Sequence, residues 1–168
     1  MQGRLAQTYK VSREIVQRGE YRGDIALRRM PRLSSLVLAG DQEISVSFEF
    51  GQNNFGLSLI KGHIETELMV ECQRCLEPMA LPVNHDFELL IDASDQDVEQ
   101  YQLDTVYSEE GYLDMFAVIE DEMILTMPLI SMHEDMGCNG FMPVATEMEQ
   151  PVEKNNPFEA LKALKETD

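Results

Sequence analysis

The sequence predicts an α+β fold, in which an antiparallel sheet that curls toward a barrel is covered by one helix and followed by a short C-terminal helix. Between Asp41 and Ile91, apolar residues alternate with polar ones in several runs, as in half-buried strands. Between Asp114 and Met127 the apolar residues recur every three or four positions instead, which indicates an amphipathic helix. A sheet with one apolar face needs such a cover.

The first forty residues carry weaker signals. Apolar residues at helical spacing predict a short helix within residues 9–18. Residues 19–27 read as a strand, although its glycines weaken the pattern. Pro31 is suited to the first turn of a helix, which we expect to continue through Leu36 and Val37.

The sheet is predicted from a chain of strand patterns. Residues 44–50 alternate strictly, residues 51–54 form a turn signal, and residues 55–64 read as a strand antiparallel to the first. A third run ends at Cys72, and residues 81–91 continue the pattern beyond the cysteines. An antiparallel sheet of these strands would expose one polar face to solvent.

Acidic residues are concentrated in two places beyond these strands. Residues 92–111 contain no Lys or Arg, and they are predicted to be a long loop with one edge strand at 102–107. Asp114 is the predicted N-cap of the covering helix. Glu120 and Glu122 point in diverging directions on a helix, so we assign them to a solvated helix face rather than to acid–base catalysis.

The charge is strongly acidic and unevenly distributed. The net charge is −18, yet residues 1–32 hold eight cations and three acids, so the remaining residues carry −23. An acidic body repels a phosphate backbone and attracts basic proteins. Contact with rRNA would therefore have to use the basic N-terminal segment. Solubility alone is the other explanation for the net acidity.

The composition indicates a cytoplasmic protein with no membrane partner. No apolar run reaches the length needed to span a bilayer, and residues 1–4 lack the pattern of a secretory signal. Three cysteines cannot all pair within the chain, which argues against a secreted disulfide framework.

The predicted domain organisation has three parts. Residues 1–140 form a single α+β domain with the basic N-terminal segment, and residues 141–156 form an acidic linker. Residues 157–168 form a short helix or tail, because Asn156 is a suitable N-cap and Pro157 a suitable first residue. So short a helix needs something to pack on, either its own domain or a groove on a partner. Its candidate partner-binding residues are Phe158, Leu161 and Leu164.

The cysteines suggest a metal site. Cys72 and Cys75 are two residues apart between strand patterns, and His133 precedes Cys138 by five positions. Three thiolates and an imidazole form a tetrahedral zinc set if the two stretches meet. A thioredoxin-type redox pair would instead open a helix after a strand, and that context is missing. The third reading, in which the cysteines are small apolar fillers, remains open.

Three motifs together resemble one protein family. They are the stretch from Val70 to Leu76, the helix of residues 116–128 with the His and Cys that follow it, and residues 156–164. This combination is similar to the large ribosomal RNA subunit accumulation proteins, the YceD family. The resemblance implies a small cytoplasmic factor that is needed for accumulation of large-subunit rRNA and hence for ribosome assembly. It brings no assigned catalytic residue.

Composition and resemblance combine into one functional hypothesis. The chain is expected to be a non-enzymatic ribosome-biogenesis factor that binds a basic ribosomal protein or assembly factor. One alternative is an acidic adaptor that mimics nucleic acid. Another is an rRNA-processing enzyme using carboxylate-bound Mg²⁺, although the sequence shows no nucleophile–base pair or phosphate loop to support it.

Overall fold

The structure, a computed structural model, describes residues 5–38 and 40–138. The chain divides into two compact units, Met1–Glu134 and Asp135–Asp168. The predicted acidic linker and C-terminal helix lie outside the described residues. The architecture below is that of the first unit.

The elements follow one another in the order in which they are named here. The strands are β1 (Thr8–Lys10), β2 (Glu20–Ala26), β3 (Glu43–Gln52), β4 (Ser58–Glu71), β5 (Pro78–Ile91), β6 (Asp104–Val106) and β7 (Tyr112–Asp114). The helices are α1 (Val11–Gln17), α2 (Pro31–Ser34), α3 (Asp95–Tyr101) and α4 (Met115–Thr126), with a 3-10 turn at Leu27–Arg29.

The main sheet has the strand order β2-β3-β4-β5-β6 and curls into a half-barrel. Its strands pair antiparallel except for β5 and β6, which run parallel. β1 and β7 form a separate two-stranded sheet. The predicted α+β class with a curled antiparallel sheet is therefore confirmed. The second and third strands of the sequence prediction are one continuous strand, β4.

The two faces of the sheet differ as the alternation predicts. On the inner face, Phe48, Gly62 and Phe87 lie opposite one another on three adjacent strands, and the inward apolar residues of β3 are all buried. The next row along, Ser47, His63 and Asp86, faces outward. The buried inner face is covered by α4, so the sheet and this helix enclose one core.

Gly62 gives a direct test of this packing. A Cβ atom built at Gly62 would lie 2.2 Å from the ring of Phe87, whereas one at Gly51 of β3 would meet only Leu59, at 3.8 Å. Gly62→Ala should therefore lower the free energy of unfolding by about 2 kcal/mol through overpacking, and Gly51→Ala should change it by less than about 0.5 kcal/mol. Denaturant unfolding of both variants measures the difference. Equal free energies of unfolding for the two variants would show that Gly62 and the Phe87 ring are not packed in close contact.

α4 begins where the sequence predicts. The Asp114 carboxylate accepts hydrogen bonds from the N–H groups of Phe116 (3.0 Å) and Ala117 (3.1 Å), which satisfies two N–H groups that the first turn cannot bond internally. The apolar side of the helix is buried against the sheet, including Ile119 and Met123.

The acidic stretch of α4 differs from the prediction of a solvated face. Glu120 is only 5% exposed, and Glu122 lies 3.0 Å from Nε2 of the half-buried His85. Asp121 alone is exposed, and it pairs with Arg32. Helical periodicity could not reveal this, because the partners come from β5 and α2 rather than from the helix itself.

Two further segments differ from the sequence prediction. Residues 92–111 contain α3, which Ser94 caps by accepting from the N–H of Asp97 (3.3 Å) while the Asp97 carboxylate accepts from the N–H of Ser94 (3.1 Å). Part of α3 packs on a small apolar cluster on the outer face of the sheet. The predicted edge strand is confirmed as β6. α2 is shorter than predicted: it ends at Ser34, and Leu36 is exposed.

Among residues 5–38 and 40–138, no helix has the length and apolar character needed to cross a bilayer.

Candidate metal centre

The connection between β4 and β5 is a tight turn that carries two of the predicted ligands. The N–H of Cys72 donates to the carbonyl of Glu77 (3.0 Å), and the N–H of Leu76 donates to the carbonyl of Cys72 (2.8 Å). Leu76 adopts the left-handed conformation, with φ of 62°, which reverses the chain before β5. The turn thus places Cys72 and Cys75 near each other.

The segment after α4 runs beside this turn. The N–H of Gln73 donates to the carbonyl of Ser131 (2.8 Å), and its side-chain amide donates to the carbonyl of Leu129 (3.4 Å). Gln73 could not be predicted as part of the site, because nothing in the local sequence pattern marks its bonds to a segment almost sixty residues away. These bonds position His133 beside the cysteines.

The structure brings three of the four predicted ligands together. Sγ of Cys75 lies 3.4 Å from Nδ1 of His133, and the N–H of His133 points at Sγ of Cys72, 3.5 Å away. The ligand atoms of these three residues all lie within 4.8 Å of one another. Cys138 belongs to the second unit, where its N–H donates to the carbonyl of Asp135 (3.2 Å). Phe158, Leu161 and Leu164 lie outside the described residues.

The surroundings of Cys72 favour a thiolate. Its side chain is fully buried, and burial raises the pKa of a thiol. The N–H groups of Cys75, His133 and Arg74, together with the Cys75 thiol, donate toward Sγ and outweigh burial, so that the pKa of Cys72 is lowered to about 6. A thiolate is the form in which cysteine binds metal.

These distances fit a tetrahedral zinc ion. Bonds of about 2.3 Å to sulfur and about 2.05 Å to nitrogen place the two ligand atoms about 3.6 Å apart at the tetrahedral angle. The Cys75–His133 separation of 3.4 Å is close to that value. The turn leads from β4 into β5 rather than into a helix, so the helix N-terminus that activates a thioredoxin-type pair is missing. The arrangement suits a structural ion better than a redox centre.

The two remaining histidines have carboxylate partners. Nδ1 of His63 lies 2.7 Å from Asp86 on the outer face of the sheet. His85 is half-buried, and its Nε2 lies 3.0 Å from the Glu122 carboxylate. Within the described ranges, neither histidine belongs to a cluster of metal-ligating side chains.

Comparisons with known proteins agree with the resemblance of the three motifs. The family model described as large ribosomal RNA subunit accumulation protein YceD matches residues 60–165, a range that includes all four predicted ligands. A relative from Haemophilus influenzae with the same name is 28% identical over an alignment of 174 positions, which covers 97% of each chain. No solved structure matches the chain. Because the family model matches well over half of the sequence, the chain belongs to the YceD family of large ribosomal RNA subunit accumulation proteins.

Proposed function

We propose that the chain supports accumulation of large-subunit rRNA in the cytoplasm, without catalysing a reaction, by binding a basic ribosomal protein or assembly factor. Family membership supports the link to large-subunit rRNA accumulation. The net charge of −18 is the observation that favours a basic partner. Most ribosomal proteins must neutralise RNA phosphates and are therefore basic, which makes them suitable partners for an acidic body.

The outer face of the sheet supports this choice of partner. Its strands expose carboxylates to solvent. Of the cations on the same face, Lys61 and His63 are each paired with a carboxylate, Glu88 at 3.1 Å and Asp86 at 2.7 Å, and Arg22 of β2 is exposed. The exposed carboxylates on this face include Asp24, Glu43, Glu49, Glu65 and Glu67. A face of this sign attracts Lys- and Arg-rich surfaces over a Debye length and repels RNA.

The alternatives receive less support. An adaptor that mimics nucleic acid shares the acidity, so it is distinguished only by the partner that it captures. An rRNA-processing enzyme using Mg²⁺ would need hard oxygen ligands. The ligand cluster of the described residues instead consists of thiolates and an imidazole, which select zinc.

Zinc enters the proposal as a structural ion. Cys72, Cys75 and His133 would hold it, with Cys138 as the fourth ligand. Cys138 follows His133 by five residues, a spacing that chain length allows. The ion would tie the β4–β5 turn to the segment that follows α4. In the tail, Phe158, Leu161 and Leu164 remain the proposed second contact for the partner, as anchors of a helix that inserts into a groove.

Salt dependence of binding tests the proposed function. The purified protein should capture basic proteins from a mixture of large-subunit ribosomal proteins, and this capture should fall at least tenfold between about 0.05 M and about 0.5 M salt, because screening weakens attraction between exposed charges. Affinity capture followed by mass spectrometry measures it, and naked large-subunit rRNA is the control ligand. Salt-insensitive binding to the naked rRNA would contradict the proposal.

A further inference from the structure

A groove of about 770 Å³ lies between the loop after β6 and the first turns of α4. Two tyrosines on its walls are unusually open to solvent: Tyr107 is 62% exposed and Tyr112 is 49% exposed. Four acidic residues line the groove as well, and none of its lining residues in the part of the chain that the structure describes is a Lys or Arg. The acidic residues are Glu109, Glu110, Asp114 and Asp121.

Two of these carboxylates already have partners. Asp114 caps α4 with one oxygen, and its other oxygen accepts a hydrogen bond from the Gln7 amide (2.9 Å). Asp121 pairs with the Arg32 guanidinium. Both carboxylates contribute negative potential to the groove, but these contacts within the fold hold them in place.

The other two carboxylates are held at the rim by a tight turn. The N–H of Glu109 donates to the carbonyl of Tyr112 (2.9 Å), and the N–H of Tyr112 donates to the carbonyl of Glu109 (2.8 Å). The central residues, Glu110 and Gly111, have φ of 50° and 80°, as in a type I′ turn. Within the described parts of the chain, neither glutamate forms an ion pair. The turn therefore presents two carboxylates without an ion pair beside the Tyr112 ring, while Lys10 lies opposite Tyr112 in the β1–β7 register and does not line the groove.

This combination suits one kind of ligand group. A guanidinium or ammonium group gains by lying over a tyrosine ring and by pairing with a carboxylate. The volume is that of a site for a few side chains rather than for a folded domain. We propose that the groove receives Arg or Lys side chains from an extended segment of a basic protein. This inference rests on the proposed function: the outer face of the sheet would attract the basic partner at long range, and the groove would bind its side chains.

A matched pair of double variants tests the location. The probe is a fluorescent peptide of alternating Arg and Gly residues, and its affinity is measured by fluorescence anisotropy. Glu109→Gln with Glu110→Asn should weaken binding roughly tenfold, since close charge pairs contribute most. The control, Glu77→Gln with Glu99→Gln, removes the same charge at two exposed positions that do not line the groove and should weaken binding less than about twofold.

Two further comparisons test whether the aromatic ring and the guanidinium charge contribute to binding. Tyr107→Leu removes the ring and should weaken the peptide roughly threefold, whereas Tyr107→Phe keeps the ring and should leave affinity unchanged. A peptide with citrulline in place of arginine lacks the charge and should bind at least tenfold more weakly. Folding is monitored in the same samples. Asn tolerates the left-handed position better than Glu, so Glu110→Asn alone should not lower the melting temperature.

Three outcomes would overturn the inference: equal losses from the two double variants, equal affinity for the citrulline peptide, or no detectable binding of the arginine peptide. Each of them leaves the proposed function standing if ribosomal proteins are still captured in a salt-dependent manner. Loss of that capture, with the arginine peptide still bound in the groove, would instead contradict the proposed function.

Discussion

Protein from which zinc has been removed by a chelator is expected to lose about 3 kcal/mol of its free energy of unfolding. Structural zinc contributes its binding energy to folding, and here it would join the β4–β5 turn to the segment after α4. For a chain of this size, that loss corresponds to a fall of roughly 10 °C in melting temperature. Metal analysis of the purified protein, followed by thermal melts with and without chelator, measures both quantities.

Substitutions of the ligands should reproduce the loss. Cys72→Ser is expected to abolish zinc binding and to lower the melting temperature as much as chelation does, because a buried hydroxyl cannot replace a thiolate ligand. His133→Ala should act in the same way, whereas His63→Ala removes a histidine that faces Asp86 on the outer face and should shift the melt by about 2 °C or less. Metal-free protein whose Cys72→Ser variant melts like the parent would exclude the site.

Cys138→Ser tests whether Cys138 is the fourth zinc ligand, beside the three ligands that the structure brings together. If Cys138 completes the tetrahedron, the variant should bind zinc at least tenfold more weakly than the parent. A competition titration with a chromogenic chelator measures the affinity. Unchanged affinity would show that water or another side chain fills the fourth position.

The parts of the fold that local patterns determine could be predicted from the sequence. The strict alternation of residues 44–50 defines both the strand and its buried face, since the side-chain period of a strand is two. Asp114 caps α4 as predicted, because the cap depends only on the next three residues. Residues 94–97 carried a capping-box signal of the same local kind, and reading it would have identified α3.

Contacts between distant residues could not be predicted in this way. The two halves of the metal centre were visible in the sequence, but Gln73, which bonds to the segment after α4, was not. The groove beside Tyr112 likewise depends on where β6, β7 and α4 meet. In each case tertiary packing decides the outcome, and no period along the chain encodes it.

Glu120 is the clearest example of such a contact, and its removal should be costly. Its carboxylate accepts from the N–H groups of Arg32 (2.7 Å) and Leu33 (3.0 Å) and pairs with the Arg32 guanidinium (3.0 Å). Glu120→Ala leaves these donors at the start of α2 without an acceptor in a buried place. We expect a loss of about 3 kcal/mol in the free energy of unfolding, measured by denaturant titration.

The neighbouring Asp121 shows how much of the expected loss in stability depends on burial of the carboxylate rather than on its charge. It binds the same guanidinium and carries the same charge as Glu120, but its side chain is 56% exposed. Solvent screens such a pair, so Asp121→Ala should cost about 0.5 kcal/mol. Glu120→Gln keeps one oxygen for the N–H groups of α2 but loses the charge, and it should fall between the two. Equal losses in the free energy of unfolding for Glu120→Ala and Asp121→Ala would mean that α4 contacts α2 chiefly through the Arg32 guanidinium and not through the N–H groups at the start of α2. The predicted order would instead show that the buried carboxylate fastens α2 to α4 chiefly through backbone N–H groups.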